Sequence, residues 1–262
     1  MKQRIISAII ALAICIPIVL LGGNVFYLGI SLLGLIGYYE LLKAKSKEKD
    51  LPILIKIFGL IIFIIIMLYE MNTKIILNIK SIFILDLFLL IVPIVFYDSK
   101  KYNIYDSTFM VGFTLLLGIA FNALINVRFV GLYTFIYLVL ITTMTDTFAY
   151  FTGYLFGKHK VCPKVSPNKT WEGCIGGFLL GTIISSLFYI FLISNSHILI
   201  TVLISSLLSV TCQIGDLIFS AIKRYFNIKD YGNIMPGHGG VLDRLDSLLW
   251  VVLMFSFLTQ IL

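Results

Sequence analysis

The stretch from Ser220 to Asp246, SAIKRYFNIKDYGNIMPGHGGVLDRLD, is polar and broken by glycines, yet it lies between two strongly apolar runs. It sets Lys223, Arg224, Lys229 and Arg244 beside Asp230, Asp243 and Asp246, with His238 held among Gly237, Gly239 and Gly240. Basic side chains in that density suit phosphate oxygens, and the carboxylates among them suit a hard cation that phosphates would share. The segment is therefore expected to handle a phosphate chain and its metal ion.

Two further polar blocks and an upstream acid add to it. Asp243 and Asp246 are three residues apart and share a helix face. With Asp216 of Gln213-Ile-Gly-Asp216 they could converge on a divalent ion such as Mg²⁺, which takes a few carboxylates plus substrate phosphate oxygens. The competing reading is that the pair merely complements the dipole of the last helix. Gly239 and Gly240 would let the backbone approach a ligand closely and expose N–H groups at the entrance of that helix. His238 serves either a phosphate or the loop itself. With no second histidine nearby a zinc site is not expected, and His159 and His197 have no visible ligand set.

In Ser166-Pro-Asn-Lys-Thr-Trp-Glu-Gly173, Pro167 and Asn168 suit a turn, Thr170 a cap and Glu172 a helix N-terminus. Lys169 is out of place at the positive end of a helix unless an anion is near, so Ser166 and Lys169 are taken to border a ligand. Asp146 lies about ten residues, roughly 15 Å of helix, before the cytoplasmic end of its span. A carboxylate at that depth needs a cavity or a partner. Gly153-xxx-Gly157-Lys158 lacks the full GxxxxGK[ST] form and follows no strand, which excludes a P-loop.

These groups must be positioned by membrane helices. The 262 residues are 60% hydrophobic and only 13% charged, with mean hydropathy +1.03, which describes an integral membrane protein. Apolar runs of spanning length predict helices at Ile5–Leu21, Asn24–Leu42, Pro52–Tyr69, Leu77–Tyr97, Ser107–Ile125, Phe129–Phe156, Gly173–Ile193, Ile198–Ile222 and Val241–Leu262. The expected fold is all-α, a polytopic bundle of about nine transmembrane helices. A β-barrel would need alternation that is absent. The opening run has the basic start of a signal peptide but no A-x-A-like cleavage site, and is read as a retained span.

The net charge of +7 is topological and does not indicate nucleic acid. With the N-terminus inside, most lysines and arginines fall in cytoplasmic segments, and the outer loops keep only Lys74, Lys80 and Arg128, the positive-inside pattern. That arrangement puts Ser220–Asp246 in the cytoplasm, where nucleoside triphosphates are. Residues 1–125 carry little that looks chemical. The charge run Lys43–Asp50 reads as a solvated loop near headgroups, and Gly29, Gly34 and Gly37 as helix-packing sites. Asp86, an acid within a predicted span, is either functional or close to the outer interface. The four cysteines form no CxxC pair and no disulfide framework is indicated. Residues 126–262 form the catalytic region.

SxxKR at Ser220–Arg224, KDxG at Lys229–Gly232 and PGHGGVLDRLD at Pro236–Asp246 resemble the signature of the phosphatidate cytidylyltransferase, or CDP-diacylglycerol synthase, family. SPNKTWEG and the Asp146-xx-Ala-Tyr-Phe pattern fit too, so the resemblance covers about the last 120 residues. Met235 and Tyr231 depart from the family's usual residues without removing a charged or glycine position. The resemblance implies conversion of CTP and phosphatidate to CDP-diacylglycerol and pyrophosphate, a step of phospholipid biosynthesis. It further implies a helical, dimeric enzyme of the bacterial-type inner membrane, its site facing the cytoplasm, needing Mg²⁺ and holding K⁺ as a second ion. Carried over, Asp216, Asp243 and Asp246 would hold metal, and Lys223 and Arg224 would act with Ser220 on phosphate oxygens. Lys229 and Arg244 would support the leaving pyrophosphate, and Ser166 and Lys169 would border the nucleotide. The alternatives are a cytidylyltransferase for another lipid phosphate, such as an ether-linked isoprenoid, and an ion-coupled transporter that uses the intramembrane acids as a pathway. A CDP-alcohol phosphotransferase would need DGxxAR…GxxxDxxxD, which is absent.

Overall fold

The computed structural model describes residues 2–69, 84, 86–92, 100–194, 197–234, 237 and 239–261, without the side chains of 2–6, 8 and 261. Lys74, Lys80, Met235, Pro236 and His238 lie outside the described residues, as does most of the span expected at Leu77–Tyr97. The chain runs α1 (Lys2–Leu21), α2 (Gly23–Ser46), α3 (Ile53–Met67), a helical stretch over residues 86–92 (α4), α5 (Ile104–Val130) and α6 (Leu132–Phe156). A short hairpin of β1 (Lys160–Cys162) and β2 (Ser166–Thr170) follows, then α7 (Trp171–Leu192), α8 (Ile198–Tyr225) and α9 (Leu242–Ile261).

The helix boundaries have local causes. Gly22, at φ 62°, separates α1 from α2, and Arg128 of α5 reaches that corner to donate to the carbonyl of Val19 at 2.8 Å. Asn103 and Asp106 form a reciprocal capping box at the start of α5. Gly131 ends α5 and divides the run expected as Phe129–Phe156, so that Phe129 and Val130 belong to the preceding helix.

Five helices, α2, α5, α6, α7 and α8, are long and apolar enough to cross a membrane; Ile9–Leu21 and α3 are shorter apolar helices. The molecule is a helical membrane bundle. Its N-terminal part packs around aromatic rings, with Tyr38 stacked on Phe63 at 4.6 Å and Phe63 edge-on to Phe121 at 6.3 Å. Gly34 of α2 rests against Met67 and Phe121, and Gly37 against Leu242 of α9. In the C-terminal part small residues set the helix spacing. Gly173, Gly177 and Gly181 of α7 lie on the backbone of α6 at Ala149, Thr145 and Gly153, where a Cβ would collide. Gly215 of α8 makes room for Trp250 of α9. Gly153 and Gly157, which lay in the P-loop look-alike, serve these contacts: Gly153 faces Gly173, and Gly157 faces Thr170.

The hairpin departs from the all-α expectation. Its strands pair antiparallel, Lys160 with Thr170 and Cys162 with Ser166, across a bulge. Pro167 is tolerated because a two-stranded sheet consists only of edges. Side-chain bonds between α8 and the hairpin hold it: Arg224 of α8 donates to the carbonyl of Val165 at 3.3 Å, and Lys169 of β2 donates to the carbonyl of Gln213 of α8 at 3.2 Å.

Candidate active site

Between α6, the hairpin, the start of α7 and the middle of α8 opens a cleft of about 510 Å³. From α6 it is lined by Asp146, Ala149, Tyr150, Gly153 and Tyr154, positions whose three- and four-residue steps lie on one helix face. Ser166, Asn168, Lys169 and Thr170 of β2 form a wall, and α8 contributes Gln213 and Asp216. Gln213 braces the far side by donating to the carbonyl of Cys174 at 3.0 Å.

Lys169 and Asp216 form an ion pair at 2.6 Å, with both side chains largely enclosed. The anion that a lysine at this helix entrance requires is thus an aspartate of the neighbouring span. The other oxygen of Asp216 accepts from the Ser220 hydroxyl at 3.3 Å. Thr170 caps α7 by accepting from the Gly173 N–H at 3.2 Å. Glu172 turns outward and accepts from the backbone N–H of Lys158 and of His159 and from the His159 ring. His159 therefore ties the end of α6 to α7 at the surface.

Asp246 is buried, one helical turn into α9, and one of its oxygens accepts from the Ser247 N–H at 2.8 Å. Asp146 contacts the Cys212 thiol at 3.7 Å. The charges of Asp146, Asp216 and Asp246 repel one another, and Lys169 and Lys223 partly offset that repulsion. Three elements far apart in sequence thereby bring carboxylates to one region.

Asp243 is arranged differently from the expectation of three converging metal ligands. One oxygen takes Lys223 at 2.9 Å, and the other accepts from the Tyr231 N–H at 2.8 Å and the Gly240 N–H at 2.9 Å. Among the described residues no three His, Cys, Asp or Glu side chains stand at metal-binding spacing. Mg²⁺ does not ask for such a cage, since one or two carboxylates with phosphate oxygens and water suffice. Asp216 and Asp246, with Asp146 beside them, fit that requirement. Asp243 would reach an ion only by releasing Lys223.

The glycines before α9 also have a role different from the expected one. The N–H groups of Val241 and Leu242 donate to the two oxygens of Glu40, each at 3.0 Å. With the Gly240 N–H on Asp243, three amides at this helix entrance are taken by the protein's own carboxylates. Glycine at 232 and 240 leaves space for the Glu40 carboxylate, which a Cβ at either would strike. Gly239 adopts φ 89° and lies against Asp243. Sequence reasoning passed over Glu40, although an acid near the end of the apolar run Asn24–Leu42 is a signal of the same kind as Asp86. It also passed over Tyr150 and Tyr154, whose spacing from Asp146 marks the cleft face.

The remaining basic residues of the loop are peripheral in this structure. Arg224 is exposed and bonds the carbonyls of Val165 and Ile228, and Lys229 and Arg244 are exposed. Tyr231 is buried and donates to the Phe219 carbonyl at 3.2 Å. Burial pushes its phenol up, so it stays a neutral donor. Asp86 is fully buried, away from this cleft, with no hydrogen-bond partner for either oxygen among the described residues.

Comparison with known proteins adds to this geometry. The model of the cytidylyltransferase family matches residues 2–262. The chain is 37% identical over 259 residues to a phosphatidate cytidylyltransferase of Staphylococcus haemolyticus, covering 98% of both chains. It is 36% identical to proteins of the same name from Staphylococcus saprophyticus, over 261 residues, and Staphylococcus aureus, over 259 residues, again covering 98% of each.

Proposed function

The chain belongs to the cytidylyltransferase family, and on that premise we propose that it is a phosphatidate cytidylyltransferase, converting CTP and phosphatidate to CDP-diacylglycerol and pyrophosphate. The observation that carries the reading is the cleft lined by Lys169, Asp146 and Asp216, with buried Asp246 close enough to repel both acids. Carboxylates in excess of their lysine partners suit a site completed by a metal–phosphate substrate and do not suit a finished structural network.

The reaction asks little of a general base. A phosphatidate phosphate oxygen, already anionic near neutral pH, attacks the α-phosphorus of CTP. The new P–O bond forms as the bond to the β-phosphate breaks and pyrophosphate leaves. The obstacle is repulsion between anions, so catalysis rests on positioning and on neutralising charge. Asp216 and Asp246 would hold Mg²⁺, which would supply neutralisation of phosphate charge, and K⁺ is proposed as the second ion of the same acidic space. Lys169 exchanges its Asp216 partner for a nucleotide phosphate. Ser220, Lys223 and Arg224 hold phosphate oxygens from α8, with Lys229 of the loop and Arg244 of α9 for the leaving group. Tyr150 and Tyr154 offer ring faces at the cleft mouth. Asp146 keeps the inner end of the cleft polar, so the headgroup can enter while the acyl chains remain in the bilayer.

The topology proposed with this reading is nine crossings with the cleft facing the cytoplasm of a bacterial-type cell membrane, in a homodimer. The test is incorporation of labelled CTP into chloroform-soluble lipid by the purified protein supplied with phosphatidate and Mg²⁺. A folded protein that binds both substrates and forms no liponucleotide would overturn the assignment. An isoprenoid ether phosphate outcompeting phosphatidate in that assay would move the substrate to another lipid.

A further inference from the structure

Glu40 lies in the N-terminal part of the molecule, away from the cleft, and is 2% exposed. No lysine or arginine is bonded to it among the described contacts. Its two oxygens are instead spent on two successive amides, Val241 and Leu242, at the first turn of α9. One turn earlier on the same face of α2, Gly37 receives the Leu242 side chain, which a Cβ there would press at 3.0 Å. The loop closes around the carboxylate, with Gly232 and Gly240 against it.

Ordinary helix capping does not account for this. A helix N-terminus is normally satisfied by a Ser, Thr, Asp or Asn of its own chain segment. Here the cap comes from a residue about two hundred positions earlier, on a different helix, and it repels the nearby Asp243. What a distant cap adds is orientation, because it ties the start of α9 to α2. The next residue is Asp243, which holds Lys223 of α8, Tyr231 and Gly240. One turn further is Asp246, facing Asp216 and Asp146.

We infer that Glu40 is a positioning residue for the reaction: it holds the first turn of α9 so that Asp243 and Asp246 present their carboxylates to α8 in the productive arrangement. The inference rests on the proposed function and extends it to a residue outside the cleft. Glu40 touches neither substrate nor ion. Displacement of reacting groups by about 1 Å is enough to lower turnover about 100-fold.

The experiment compares wild type, Glu40→Gln, Gly232→Ala and the double variant in lipid nanodiscs. It measures kcat and KM for CTP and phosphatidate, and amide hydrogen exchange across the protein. Glu40→Gln keeps the side-chain shape but sets an amide NH₂ against a backbone N–H. Expected for it are a kcat about 100-fold lower, both KM values within about threefold of wild type, and faster exchange confined to the segment around Val241 and Leu242. Gly232→Ala pushes on the same carboxylate from the loop and gives the same pattern even if Glu40→Gln fails to fold. The double variant should be no worse than Glu40→Gln alone, since both act through one contact. Retained kcat in either single variant despite faster local exchange, multiplicative losses in the double, or loss of kcat without local exchange change would overturn the inference. A wild type that makes no liponucleotide sinks the proposed function and this inference together, whereas an active wild type beside an equally active Glu40→Gln sinks the inference alone.

Discussion

Two charged clusters in this molecule use similar residues to opposite ends. At the end of α2 and the start of α5, Lys45 bonds Glu48 at 2.7 Å and Asp106 at 3.0 Å, and Lys49 bonds Asp106 at 2.6 Å. Asn103 adds a backbone N–H to Asp106, and Tyr225 a hydroxyl to Glu48. Two lysines meet two acids, and the charges cancel locally. Around the cleft, Asp146, Asp216 and Asp246 have, among the described residues, one lysine at bonding distance, Lys169, while Lys223 is drawn to Asp243. Burial is shared by both clusters, since Lys45, Asp106, Lys223 and Asp246 are all nearly enclosed. What separates them is compensation. A buried pair that is complete holds helices together. An enclosed set of acids with too few cations calls for a bound cation to complete it.

Substitutions can test that contrast. Asp246→Asn should lower liponucleotide formation about 10³-fold or more, as loss of a charge-neutralising group does in phosphoryl transfer, with monodisperse, folded protein retained on size exclusion. Near-normal turnover would remove the distinction between the clusters. Lys169→Met should reduce kcat/KM for CTP about 100-fold while leaving Asp216 unpaired, and an unchanged value would make the ion pair purely structural. Asp106→Asn leaves buried Lys45 with Glu48 as its remaining acid and removes the acid bonded to Lys49; it should cost about 2 kcal/mol of stability, read as a lower unfolding midpoint, with kcat per folded molecule unchanged. Equal loss of turnover there would show that the closed cluster is part of the machinery. Tyr150→Ala, at the cleft mouth, should raise KM for CTP about fivefold with little effect on kcat, and no change would exclude base stacking on this ring.

Much of this organisation was legible beforehand. Helix positions followed from apolar runs of spanning length, and α7, α8 and α9 begin and end within three residues of the expected limits. Lys169 announced a nearby anion, and Thr170 the cap it forms. The hairpin was not legible, because Lys160–Cys162 and Ser166–Thr170 show no apolar alternation; bonds from Arg224 of α8 to Val165 and from Lys169 to Gln213 of α8 hold it. The split at Gly131 was hidden because both sides of that glycine are apolar.

Composition and hydropathy alone determine that this chain is a helical membrane protein, and the polar motifs after Asp146 alone point to phosphate chemistry, because each depends on residue types within a short window. Which carboxylates share a space depends on helix packing. Asp216 is brought to Lys169 by the hairpin lying along α8, and Asp243 is drawn to Lys223 and the loop amides. Glu40 reaches Val241 and Leu242 because Gly37 leaves room for the Leu242 side chain, and Gly232 and Gly240 for the carboxylate. Spacing along a chain ranks candidate ligands by helix face. Three-dimensional packing determines which donors occupy each oxygen: Lys223 and two loop amides hold Asp243, whereas the side chains of Lys169 and Ser220 hold Asp216.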